Sequence, residues 1–385
     1  MTHLTGEQIL ANAVALGPHI ERVADDIECN RRLPDQLIDD MRTAGVFRIA
    51  FPTAWGGPEC DLVQQSRMVE SLAYFDASTA WVAMICSDSG HYAARLEEDV
   101  AFELYPDLDM LTSGFVIPAG TAVEDGDNYR VSGHWQFGSG CLHADRIIGG
   151  CFVHDTDGMK FDDSGMPEFR AVWLPKEAIT IHDTWHTTGL AGSGSNDYSV
   201  ENVIVPRSHS FRPMAVGSRP EPLYRYSGSF FTNLPPVAFG CAQRMIDDLR
   251  DLASTKVTMP AMVPMKNEYR VQIALAEATA AIAATRAYHY SVLSSLWQSL
   301  SDGGFPSQQQ RADIIMMSVH AVQTATTVSE MVCEAVGGAA VYSSNPFDRR
   351  RRDIATVSAH IIGQRKSLVN AAQLLFGDEP RFSIV

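Results

Sequence analysis

Positive charge is scarce in this chain: Lys and Arg number 30 against 46 Asp and Glu, a formal net charge of −16. That deficit argues against nucleic acid or an anionic membrane as a partner, because both are bound through clustered Lys and Arg. A run of ~18 apolar residues, the length a helix needs to cross a bilayer, is also missing. So is a charged-then-apolar leader. The seven cysteines (29, 60, 86, 141, 151, 241 and 333) include no Cys-x-x-Cys pair. Such an odd, scattered set reads as free thiols in a reducing compartment, so a cytoplasmic location is expected.

Three binding signatures are lacking as well. No nicotinamide-binding Gly-x-Gly-x-x-Gly unit is found. The loop Gly189-Leu-Ala-Gly-Ser-Gly-Ser195 has no P-loop Lys and leads towards a strand, which excludes a phosphate loop. His182-x-x-x-His186, with Asp183, lies in an extended stretch where that spacing does not converge two imidazoles, so no metal is expected.

What is present is an ordinary globular composition, 45% hydrophobic and 20% charged, over 385 residues. That length exceeds a usual single domain and predicts two or three subdomains. Helical spacing dominates the N-terminal third, starting from a Thr5-x-x-Gln8 capping box. Gly45 stops a helix begun near Pro34, another follows from about Asp61 to Tyr74, and Asp76 or Ser78 caps the next, which carries Trp81. His91 is expected just beyond that helix, in a break at Ser87–His91. From about Leu111 to Phe211 the period becomes two, predicting strands near 120–138, 146–154, 169–175 and 198–205. After a Pro/Ser/Gly/Arg-rich connection, helices are expected near 232–255, 266–300, 307–336 and 354–376. The run Arg349–Arg352, flanked by Asp348 and Asp353, reads as a salt-bridged helix entry or a phosphate contact.

The most informative stretch is Val131-Ser-Gly-His-Trp-Gln-Phe-Gly-Ser-Gly-Cys-Leu-His-Ala-Asp145. Continued strand alternation puts Trp135, Phe137 and Ser139 on one face. Two flat apolar groups and a hydroxyl on one face suit a planar, partly polar ring. They equally suit a sheet face packed against helices.

This stretch resembles the flavin-binding strand of the acyl-CoA dehydrogenase superfamily, Gly-x-Lys-x-Trp-Ile-Thr-Asn followed by small residues and Ala-Asp. Gly133 matches the Gly, Phe137 the Trp, Ser139 the Thr, and Ala144-Asp145 the closing pair. A second match is Gly337-Gly338, Pro346 and Arg352-Asp353 at the family's spacing. The resemblance implies an α+β fold: an N-terminal helical domain (1–112), a central antiparallel β domain (113–212) and a C-terminal four-helix bundle (213–385). It implies cofactor contacts at Trp135, Phe137, Ser139, Gly140, Gly337, Gly338 and Asp353, and a homotetramer.

Where the straight-chain dehydrogenases carry their catalytic Glu, this chain has Ile361, preceded by His360. The wording is therefore more similar to the reduced-flavin monooxygenase branch, which carries a His there and another near position 91. That branch implies the oxygenase component of a two-component enzyme. Reduced FMN or FAD comes from a separate reductase, and molecular oxygen, through a flavin C4a-hydroperoxide, hydroxylates an aromatic or heteroaromatic small molecule. His91, Ser139 and His360 are then the catalytic candidates, with Trp81, His91 and Ile361 lining the substrate pocket. Alternatives are a dehydrogenase with its base relocated to Glu277, a nitrogen or sulfur oxygenase on the same scaffold, or a binding subunit without chemistry.

Overall fold

The structure, a computed structural model, describes residues 4–162, 165–215, 219–259, 262–343 and 345–380. The chain opens with α1 (Gly6–Ala15), α2 (Gly17–Asn30), α3 (Asp35–Ala44), α4 (Leu62–Phe75) and α5 (Ala77–Cys86). The Thr5–Gln8 pair closes the expected capping box, and Asp61 with Gln64 closes a second one on α4. Asp76 caps α5 by accepting from the Thr79 N–H. The break expected at Ser87–His91 is confined to the turn at Ser87–Asp88; a short helix, α6 (Ser89–Ala93), then carries His91 and is followed by α7 (Glu98–Leu104). Gly90 allows it, because a Cβ there would run into the Ala50–Phe51 backbone.

The centre is one eight-stranded sheet built from β1 (Thr112–Asp125), β2 (Asn128–Gly138), β3 (Arg146–Asp155), β4 (Gly158–Met159), β5 (Phe169–Leu174), β6 (Thr180–His182), β7 (Asn196–Pro206) and β8 (Ser210–Phe211). Its order is β6-β7-β2-β1-β3-β5-β8, with β4 paired to β3. Pairing is antiparallel apart from β1 with β3, which run parallel. The connection after β8 leads through α8 (Pro222–Arg225); residues 216–218 of the expected linker lie outside the described residues.

The C-terminal region comprises α9 (Pro235–Thr255), α10 (Tyr269–Ser301), α11 (Gln308–Val336), α12 (Pro346–Ser358) and α13 (Leu368–Leu375). The single helix expected over 354–376 is thus two. Its first part begins earlier, at Pro346, which suits a first helical turn. The interruption has a local cause. His360 adopts extended backbone angles and its ring caps Ile362 N–H, while Gly363 lies so close to Val322 that a Cβ would stand 2.8 Å from its side chain. One apolar core runs through both helical regions, from Ile9 and Phe47 through Phe239 and Leu293 to Val357. A second fills the sheet around Trp135 and Tyr198. Among the described residues, no helix is long and apolar enough to cross a membrane.

Candidate active site

The end of β2 does not follow the strand alternation. Phe137 takes a left-handed backbone (φ 62°), and the β2–β7 register slips between Trp135 and Gly138. This bulge separates the three residues that alternation would have aligned. Trp135 turns fully into the sheet core. It stacks on Tyr198 at 5.3 Å, and its Nε1 donates to Gly150 O at 2.7 Å. Gly120, Gly133 and Gly149 make room for it, since a Cβ on any of them would collide with the indole. The expectation that Trp135 contacts a cofactor is corrected accordingly: it is a core residue.

Phe137 is the opposite case, 52% exposed. It sits 6.3 Å from Phe115 and edge-on to Trp185 at 6.2 Å. A left-handed non-glycine residue costs about 1–3 kcal/mol, and such strain concentrates where a side chain must be presented.

Ser139 is buried just past the bulge, at the centre of a hydrogen-bond chain. Trp81 Nε1, from α5, donates to Ser139 Oγ at 2.9 Å. Ser139 Oγ meets Ser195 Oγ at 2.8 Å, Ser195 Oγ meets Ser193 Oγ at 2.7 Å, and Ser193 Oγ donates to Leu190 O at 2.7 Å. Each hydroxyl has one hydrogen to give. Because the last is committed to a carbonyl, the chain runs one way: Ser139 donates to Ser195 and Ser195 to Ser193. Ser139 Oγ therefore offers the site an acceptor lone pair and no free proton. Leu190 O also accepts from Trp185 Nε1 at 2.9 Å, so the aromatic wall and the serine chain share one anchor.

His360 stands on the other side of Trp81, ring centroids 5.7 Å apart and edge-on. Burial pulls its pKa down to about 4, so the imidazole is neutral at ordinary pH. Its Nδ1 accepts from Ile362 N–H at 3.4 Å, which leaves the hydrogen on Nε2. Ile361, next to it, is 40% exposed. Trp81 thus joins Ser139 to His360.

His91 is not joined to them. It is 2% exposed, its Nε2 faces Gln65 Oε1 at 3.4 Å, and it stands edge-on to Phe230 at 5.2 Å and Tyr224 at 6.2 Å. No hydrogen bond or ring contact links it to Trp81, Ser139 or His360 among the described residues. Burial lowers its pKa to about 3. The three-residue constellation expected from sequence is therefore two separate groups.

The remaining candidates occupy supporting positions. Gly140 (φ 72°) ties the strand end to the serine loop through its N–H and Ser193 O, at 2.9 Å. A Cβ there would stand 2.7 Å from Cys86 Sγ. Asp353 is buried and accepts from Leu190 N–H at 2.6 Å, so it anchors the serine loop and faces no open space. Burial and the neighbouring Asp76 raise its pKa to about 7. Gly337 and Gly338 lie at the end of α11 with open space around them. All four arginines of 349–352 pair with carboxylates, the salt-bridged reading of that run. Glu277 is exposed on α10. Two surface clefts, of about 220 and 420 Å³, include none of Trp81, His91, Ser139 or His360.

Sequence reasoning missed Phe115, Trp185, Ser193 and Ser195. The signal for the serines was the Gly189–Ser195 loop itself, where two serines stand among three glycines just before a strand. Nothing local marked the two aromatics. The exposed, strained Phe137, its aromatic neighbours and the open acceptor on Ser139 fit a flat ring with a polar edge, such as a flavin.

The chain belongs to the acyl-CoA dehydrogenase family. The family's N-terminal domain model matches residues 15–95, and the model for the acyl-CoA dehydrogenase C-terminal domain matches residues 234–365. Proteins it resembles along most of its length include oxygenases. It is 28% identical to the indole-3-acetate monooxygenase of Pseudomonas putida over 382 residues, 96% of each chain. It is 25% identical to the oxygenase component of p-hydroxyphenylacetate 3-hydroxylase from Acinetobacter baumannii over 373 residues, 93% of this chain and 86% of that one. The structure of XiaF from Streptomyces sp., in complex with FADH2 and glycerol, superposes with a TM-score of 0.88 at 22% identity, covering 98% of this chain and 97% of that one.

Proposed function

We propose that this protein is the oxygenase component of a two-component flavin-dependent monooxygenase, hydroxylating an aromatic small molecule with molecular oxygen. The observation that carries the reading is the Ser139–Trp81–His360 group: a buried hydroxyl acceptor and a neutral imidazole on either side of one indole. No carboxylate belongs to it, and Ile361 and the exposed Glu277 leave no base for the α-proton of an acyl thioester. Phe137 and Trp185 offer the flat apolar faces for reduced flavin, FMN or FAD, and Ser139 Oγ the acceptor for its polar edge. When bound, reduced flavin supplies the electrons that activate oxygen. The chain's own part is to exclude water with Trp81 and Phe115, hold the acceptor rigid through Ser195 and Ser193, and direct the His360 Nε2–H towards the substrate. Taking a substrate proton at that nitrogen requires the imidazole to change tautomer.

A separate reductase supplies the reduced flavin, and the oxygenase works in the cytoplasm as a homotetramer. Exposed Val341 and Tyr342 beside Gly337-Gly338, and Val369 and Phe376 on α13 and its end, support assembly through the C-terminal helices. Light scattering that gives only a 42.2 kDa species at micromolar concentration would remove the tetramer. The function itself is tested by oxygen uptake and product formation with a flavin reductase supplied. Uptake that no aromatic compound couples to product would reject it.

A further inference from the structure

A largely buried guanidinium has no carboxylate partner among the described residues. Arg95 lies one turn past His91, at the end of α6. Its guanidinium sits over the Phe230 ring at 5.0 Å, and its Nη1 donates to Ala215 O at 2.7 Å. Its Nε is buried with no partner among the described residues, and no carboxylate of those residues pairs with it. Burial pulls its pKa down to about 10. The contrast with Arg349–Arg352, each of which faces an Asp or Glu, is plain. Leaving a desolvated charge unpaired is costly, and a guanidinium is built to hold a carboxylate with two parallel hydrogen bonds.

Its surroundings carry the same deficit. His91 stands edge-on to the same Phe230 ring at 5.2 Å. Gln65 Oε1 faces His91 Nε2 and accepts from Asn233 Nδ2 at 3.2 Å. Ser229 Oγ and Asn233 Oδ1, on either side of Phe230 in the chain, are buried with no hydrogen-bond partner among the described residues. Ser229 is 0% exposed and Asn233 2%. Buried polar groups are ordinarily satisfied, so two such orphans within three residues of Phe230 in the chain, whose own ring lies under an unpaired guanidinium, point to a missing polar ligand.

Resting on the monooxygenase reading above, we propose that Arg95 and Ser229 form an anion subsite that takes the carboxylate of an aromatic acid, fixing which end of the substrate enters first. Phe230 and Tyr224 then flank its apolar part, and His91 and Asn233 are positioning residues through Gln65. The substrate class this selects is an aryl acid, not a neutral arene.

The test is a binding series on the whole protein, read as dissociation constants without turnover. Phenylacetate, 4-hydroxyphenylacetate and indole-3-acetate are compared with the alcohols of the same ring, 2-phenylethanol, 4-hydroxyphenethyl alcohol and indole-3-ethanol. At least one acid is expected to bind about 10–100-fold more tightly than its alcohol, the range for a hydrogen bond to a charged group. In R95M that preference should vanish while the alcohol's affinity stays the same, and R95K should retain part of it. Equal binding of acids and alcohols to the unaltered protein overturns the subsite, and needs no variant to fold. Equal weakening of both series in R95M does so too. A fall in FMN or FAD affinity in R95M, with the acid preference kept, would assign the guanidinium to a cofactor phosphate and also overturn it. Hydroxylation of the alcohols without any acid preference rejects the subsite alone. If neither series binds or is hydroxylated, the aromatic monooxygenase reading falls and the subsite falls with it.

Discussion

Trp81 Nε1 donates to Ser139 Oγ across 2.9 Å, joining helix α5 to the residue just past strand β2. That bond fixes the hydroxyl from one side while Ser195 fixes it from the other, so Ser139 is held as an acceptor before any ligand arrives.

Removing the hydroxyl should therefore hurt more than removing either support. Ser139→Ala is expected to lower product per flavin oxidised by about 10–100-fold, the range for losing one strong hydrogen-bond acceptor from a buried site, and to raise hydrogen peroxide correspondingly. Trp81→Phe keeps the ring and deletes the donor, and should cost about 2–10-fold, as for one neutral hydrogen bond. Peroxide and product are measured together, with flavin affinity by equilibrium binding. Unchanged coupling in Ser139→Ala would take the hydroxyl out of the site.

His360 yields a pH prediction that differs from that of an exposed imidazole. Burial depresses its pKa to about 4, so the neutral form persists down to that value. The hydroxylation rate should show no imidazole titration between pH 5.5 and 8, and should fall as pH drops through about 4. His360→Ala should lower product formation by about 10²–10⁴-fold while leaving flavin affinity intact. A rate that titrates near pH 6.5 and loses that inflection in His360→Ala would show an exposed, ordinary imidazole instead.

Much of this arrangement could be read from the chain, and the exceptions have physical causes. The strands were legible because period-two alternation and Gly/Asp turns are local signals, and β1, β2, β3, β5 and β7 fall where that pattern lies. Ser139, His360 and Trp81 stood out by type and position, and the structure brings their side chains together. What failed was alternation carried through the bulge at Phe137: Trp135 keeps the inward side of Tyr129 and Val131, while the left-handed Phe137 is turned out to the other. The helix over 354–376 failed because Gly363 is set by its packing against Val322, a contact 41 positions away in sequence that no local pattern reveals. Trp185 and the serine chain depend on the loop folding back onto β2, and so does the role of Asp353.

Asp353 makes stability a reporter of that loop. Burial and Asp76 raise its folded pKa to about 7 against a model-peptide value of 3.8. The folded state thus keeps a proton that the unfolded state releases across that window. Its stabilising contribution is full below the unfolded value and is lost as pH rises through about 7. Asp353→Asn keeps an acceptor for Leu190 N–H and does not titrate. The melting temperature of the unaltered protein, relative to Asp353→Asn, should fall between pH 5 and 8.5. A constant difference would mean that Asp353 is already ionised in the fold.

The central claim, that this fold inserts oxygen and does not remove hydride from acyl thioesters, is tested most directly with labelled oxygen. The protein is supplied with reduced flavin by a separate reductase under ¹⁸O₂ and offered the aryl acids above. In parallel, the oxidised holoprotein is offered a straight-chain acyl-CoA with an artificial electron acceptor. The account predicts one ¹⁸O atom in a hydroxylated aromatic product, dependent on reduced flavin, and no enoyl-CoA. Enoyl-CoA formation, with no label entering any aromatic compound, would contradict it.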